Sequence, residues 1–256
     1  MATSKTSARH KSSAWVENIK TIVYAGLIAL VVRTVAYEPF NIPSGSMIPT
    51  LQIGDYLFVA KYSYGYSRYS LPFSPPLFSG RIFGSLPARG DVAVFKYPRD
   101  TSIDYIKRIV GLPGDTVQVR EGQLYINGKL CPRQPLGDYV TDDEGIHMVQ
   151  QEYLETLPPS GHHGSVKHDI LKATDEGEAN NTPVYTVPPD HLFAMGDNRD
   201  NSADSRFMNG VGFVPVENLV GKAEIIFFSI NSIDPWWEFW EWPFEIRWSR
   251  LLMTIQ

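Results

Sequence analysis

Two hydrophobic patterns divide this chain. Near its start, twelve uncharged residues from Thr21 to Val32 lie between Lys20 and Arg33, almost all of them apolar. Beyond Glu38-Pro39-Phe40 the apolar residues come in short stretches broken by turn formers. Twelve residues fall short of the roughly twenty needed to cross hydrocarbon as a helix. Extension from Trp15 to Tyr37 gives 23 positions, with Lys20 and Arg33 reaching opposite interfaces and both rings at interfacial depth. The apolar run also has the length of a secretory signal, with Thr34-Val35-Ala36 as a conceivable cleavage edge. A buried core helix is the third option. The anchor is preferred, with 1–14 as a cytoplasmic tail, because positive charge gathers ahead of the segment.

After the anchor, strands and turns are expected. Asp91–Phe95 and Asp104–Val110 read as strands, Thr116–Arg120 and Leu124–Ile126 as a hairpin turning at Glu121-Gly122, and Asn127-Gly128 as a second tight turn. Val184–Val187, His191–Met195 and Val220–Ile230 supply further strands. Residues 136–183 are acidic and punctuated by Pro158-Pro159 and Asn180-Asn181, and they read as an inserted, partly ordered subdomain. The body is then 38–135 together with 184–256. Tyr62–Ser85 reads as a surface excursion. The fold class is mostly β: an antiparallel body with a smaller β-rich insertion behind one transmembrane helix.

Charge sharpens the division. Residues 1–37 carry a net of +4, and the remaining residues, with 18 basic and 27 acidic side chains, carry −9. Such a balance suits a cationic anchor on an acidic body and excludes an overall basic nucleic-acid binder. One cysteine, Cys131, excludes an internal disulfide framework and multi-cysteine metal sites. Five of six tryptophans fall between Trp236 and Trp248, either packed on the body or resting on lipid.

Three segments could carry chemistry. In Ile42-Pro43-Ser44-Gly45-Ser46-Met47-Ile48-Pro49-Thr50, two prolines bracket a tight Ser-Gly-Ser that could present a hydroxyl and its own backbone N–H. Around Lys107, both faces of the strand are apolar, so Lys107 and Arg108 point oppositely into covered surfaces. A buried lysine finds a carboxylate or becomes neutral, and a neutral lysine is a general base. An edge strand with both heads snorkelling to water is the plainer alternative. The third segment, Gly196–Arg206, lacks a large apolar side chain. As a calcium loop starting at Asp200 it fails, because Ser205 and Val211 occupy the required Gly and Glu positions. An ion-pair and hydroxyl network remains. Arg89-Gly90-Asp91 reads as a turn into a strand, and His162-His163 with His147 and His168 lack fixed ligand geometry, so neither metal nor cofactor is expected.

Taken together, Pro43–Leu51, Arg89–Val92, Tyr105–Asp115 and Gly196–Arg206 closely resemble, in order, the boxes of bacterial type I signal peptidase. The resemblance implies Ser46 as nucleophile and Lys107 as general base, with the Ser44 hydroxyl and Ser46 N–H as oxyanion hole. It also implies Ser202 orienting the lysine, Asp204 and Arg206 bracing their loop, and Asp197 paired with Arg108. The implied substrate is an exported pre-protein whose signal peptide binds as an extended strand, cut after small residues. The implied location is the bacterial inner membrane, single-pass, with the body periplasmic and the bilayer as partner. Oligomeric state is left open. Two rivals stand beside it: a Ser–Lys self-cleaving repressor, which would need a soluble DNA-binding head, and a non-enzymatic membrane-tethered binding domain.

Overall fold

The computed structural model describes residues 14–71, 74–143, 146–231 and 242–255. Helix α1 (Ala14–Val35) opens the chain, and its Trp15–Val35 stretch is long and apolar enough to cross a membrane with none of it buried in the protein. That exposure removes the core-helix option. A core helix hides an apolar face, and here Ile22, Leu27, Ile28 and Val31 stand open.

The strands follow in chain order: β1 (Tyr37–Asn41), β2 (Asp55–Ala60), β3 (Val92–Tyr97), β4 (Asp100–Gly111), β5 (Thr116–Arg120), β6 (Gln123–Ile126) and β7 (Lys129–Leu130). Next come β8 (Arg133–Asp143), β9 (Ile146–Leu157), β10 (Val166–Lys172), β11 (Tyr185–Thr186) and β12 (His191–Met195). Short β13 (Val214–Pro215), long β14 (Leu219–Ser229) and β15 (Met253–Thr254) complete the described set. They build three sheets, ordered β1-β2-β14-β3-β4-β12-β13 with β15 on β14, β10-β9-β8, and β11-β5-β6-β7. The strand pairs are antiparallel, so the molecule is mostly β as the alternation implied. Both tight turns fall where expected: Glu121-Gly122 and Asn127-Gly128 have positive φ at both positions, the backbone that suits a two-residue hairpin.

Three expectations need correction. The described part of residues 136–183, with flanking residues from Arg133, is more regular than the partial order expected of it. It contains two strands of eleven and twelve residues and a third of seven, stabilised by ladder hydrogen bonds that a polar sequence does not advertise. Tyr62–Ser85 is only partly a surface excursion, because Tyr64, Ser67, Tyr69 and Ser70 are buried beside Lys61. Finally, β4 is covered only in its second half. Residues 100–104 are exposed, whereas Arg108–Gly111 are buried between β3 and β12. Of the tryptophan-rich tail, Trp236, Trp237 and Trp240 lie outside the described residues, and Trp248 is exposed.

The core lies between the sheets. Ile42, Met47, Leu51, Leu57, Val59 and Val220 pack into one cluster, and Val110, Val117, Leu124, Leu157 and Phe193 into another. Each such side chain contributes about 1.5–3 kcal/mol on burial, which holds the β1 exit and the second half of β4 at fixed positions.

Candidate active site

The chain leaves β1 through Ile42 and makes one 3-10 turn, Gly45–Met47, closed by Ile48 N–H donating to the Gly45 carbonyl at 3.2 Å. Fully buried Met47 roots this turn in the core, and Ile42 N–H bonds the Asp55 carbonyl, so Ser46 is held from both sides. Ser46 is 9% exposed.

Lys107 faces it from β4. Its Nζ lies 2.7 Å from Ser46 Oγ and 2.9 Å from the Ile106 carbonyl. Burial pushes this amine down to about 8, against the opposing pull of the Asp204 and Asp197 carboxylates. The open choice between a buried neutral amine and a snorkelling head is thereby resolved toward burial. Ser44 Oγ stands 3.5 Å from Ser46 Oγ. β12 begins to pair with β4 only at Arg108, so the β4 backbone ahead of it has an edge without a strand partner among the described residues.

Arg108, on the opposite face, is fully buried. Its Nε and Nη2 donate to the two Asp197 carboxylate oxygens at 2.9 and 2.7 Å, and its Nη1 donates to the Gly90 carbonyl at 2.7 Å. Thr50 adds its hydroxyl to Asp197 at 2.6 Å. A bidentate pair satisfied on every side is stable, whereas loss of either partner would strand a buried charge.

Asp197 opens the loop that returns from β12. Further on, Asp204 accepts from Arg206 Nε at 2.9 Å and from Gly196 N–H at 3.0 Å. Burial opposes its ionisation, but Arg206 outweighs that and holds the carboxyl below the usual range. Gly196 allows the loop to press on the nucleophile's turn: a Cβ there would stand 2.5 Å from the Ser46 carbonyl and 2.2 Å from Ser202 Oγ. Ser202 thus sits beside the site, its buried hydroxyl against Gly196 and helping Arg206 to hold the Asp204 carboxyl down.

The sequence-derived residues Ser44, Ser46, Lys107, Arg108, Asp197, Asp204 and Arg206 are therefore brought together. Asn198 was overlooked as an individual contributor. Its backbone N–H donates to the Ser46 carbonyl and its Nδ2 to the Gly45 carbonyl, each at 3.1 Å. Its position inside a loop already singled out was the available signal.

The signal peptidase family model, peptidase S26, matches residues 15–228. Signal peptidase I of Rickettsia typhi is 46% identical over 214 residues, covering 82% of this chain and 78% of the relative. That of Rickettsia canadensis is 43% identical over 222 residues, covering 86% and 81%. A crystal structure of a signal peptidase I from Enterococcus faecalis is 27% identical and covers 54% of this chain and 97% of that one, with a TM-score of 0.31, too low for a comparison of folds. The class is that of a serine peptidase, and in this chain a buried serine hydroxyl stands against a lysine amine. The chain belongs to the signal peptidase family, peptidase S26.

Proposed function

We propose that this chain is a membrane-anchored serine endopeptidase that removes signal peptides from exported pre-proteins, with Ser46 as nucleophile and Lys107 as general base. The observation that carries the assignment is the 2.7 Å approach of a buried amine, lowered to about 8, to a serine hydroxyl. Neutral Lys107 takes the Oγ–H proton as Oγ attacks the scissile carbonyl. The oxyanion is received by the Ser44 hydroxyl and the Ser46 N–H. Lys107 then passes its proton to the leaving amine, which breaks the peptide bond and leaves an ester on Ser46. The same amine deprotonates a water, which hydrolyses the ester and regenerates both groups. Ser202 is assigned the steadying of the amine during these transfers, and Asp204 with Arg206 the bracing of the loop.

The pre-protein adds as an extended strand along the β4 edge that has no strand partner among the described residues, where backbone hydrogen bonds accept any sequence and small residues fit beside Ser46. α1 places enzyme and signal peptide in one bilayer, which raises their effective concentration. The N-terminus is assigned to the cytoplasm and the β body, with 136–183 inserted in it, to the far side of the inner membrane.

The test is incubation of the detergent-solubilised chain with an exported pre-protein and N-terminal sequencing of the product. A single cut after a small residue is expected, abolished in folded Ser46→Ala and Lys107→Met. Undiminished cutting by Ser46→Ala would overturn the assignment.

A further inference from the structure

The sheet β8–β10 contributes no reacting group, yet it grips the loop that touches the nucleophile. Leu171 of β10 pairs with Asn198, its N–H donating to the Asp197 carbonyl at 2.9 Å and its carbonyl accepting from Arg199 N–H at 3.0 Å. Glu155 of β9 accepts both terminal nitrogens of Arg199, one of them at 2.8 Å. Gln150, also on β9, is 5% exposed and donates from Nε2 to Asn198 Oδ1 at 3.0 Å. Asn198 in turn holds the carbonyls of Gly45 and Ser46.

The Gln150 bond has a specific consequence. With Oδ1 fixed, the Asn198 carboxamide can point only its NH2 at Gly45; released, it could rotate or present its oxygen to a carbonyl, which repels. A second observation limits what Gln150 adds to stability. Its own Oε1 is buried without a hydrogen-bond partner among the described residues, a cost that offsets the bond its Nε2 makes to Asn198. We propose that Gln150 is a positioning residue, acting through Asn198 to hold the Ser46 turn in register with Lys107, so that the β8–β10 sheet is part of the catalytic apparatus. The inference rests on the assignment of Ser46 and Lys107 made above.

The experiment compares full-length wild type, Gln150→Met, Asn198→Ala and the double variant in pre-protein cleavage, with Tm measured alongside. Misplacement of a reacting atom by a fraction of an ångström lowers the rate without touching substrate affinity. Gln150→Met is therefore expected to lower kcat about tenfold, with KM within about twofold and Tm little changed, because the Oε1 cost it removes offsets the Asn198 Oδ1 it leaves unpaired. Gln150→Asn, which keeps the carboxamide but ends one methylene short, is expected to repeat the loss. The double variant is expected to be no slower than Asn198→Ala. Wild-type kcat in Gln150→Met, a kcat loss matched by a fall in Tm, or additive losses in the double variant would each overturn the proposal. Ser46→Ala serves as the separate control: activity there would sink the assignment of the dyad instead.

Discussion

Lys107 and Lys172 are equally buried, each 3% exposed, and burial pushes both amines down to about 8. Their surroundings differ. Lys172 Nζ lies 3.2 Å from Asp200 and 2.7 Å from Asn180 Oδ1, and Asp200 in turn accepts backbone N–H groups from Ala173 and Thr174. That lysine is one corner of a filled network. Lys107 has a hydroxyl and a carbonyl for neighbours, and Asp197 and Asp204 act on it only at longer range. A lowered amine is thus not enough to define a base; what separates the two is the proton donor placed at hydrogen-bond distance. Lys61 makes the same point from the other side. It is also 3% exposed, but it is paired with Glu38 at 2.8 Å and donates to the Ser70 carbonyl, which leaves it fastening the start of β1.

The largest effect should come from exchanging the two lysines' roles. Lys107→Met is expected to lower kcat by more than about 1,000-fold, the scale on which a missing dyad or triad member acts. Lys172→Met should keep cleavage within about tenfold while lowering Tm, because it leaves the Asp200 carboxylate without its cation. Comparable losses of activity in both would erase the distinction. Asp197→Asn tests the face of β4 opposite Lys107. Removing one partner of the buried Arg108 pair should destabilise the fold by about 3–5 kcal/mol, read as a shift in denaturant midpoint. A smaller loss is expected for Ser44→Ala, about 100-fold in kcat with little change in KM, if its hydroxyl receives the oxyanion. The pH profile should show the mildest effect. Lowering pH protonates Lys107, so kcat/KM should fall about tenfold per unit below pH 8 and level off above it.

How much of this was legible in the sequence varies by element. β12 has the bounds that the alternation gave, and β3, β4 and β14 lie within a few residues of theirs, because each has regular apolar positions facing a core. The two hairpin turns were legible because each ends in a glycine, which adopts positive φ without strain, and Asn127 tolerates it too. The β8–β9 hairpin was hidden. Leu136, Val140 and Val149 remain exposed on it and its polar residues carry no period, so its order comes from cross-strand hydrogen bonds. Lys107 and Arg108 stood out because two adjacent charges in an apolar strand demand partners. Gln150 and Glu155 did not, since their role depends on a loop more than forty residues downstream of Glu155 that only the fold brings near. The β4 edge is a similar case: its exposure arises from where β12 begins to pair and not from any residue type.

The mechanism depends on burial bringing the Lys107 amine down to about 8, so that it loses its proton beside a serine hydroxyl well below the ordinary lysine range. Its most direct test is a pH titration of the Lys107 side chain, followed by the NMR shift of its Cε in the detergent-solubilised chain. A midpoint near 8, tracking the acid limb of kcat/KM, is the expected result. A midpoint near the ordinary lysine value of 10.5, with activity unchanged across that range, would contradict it.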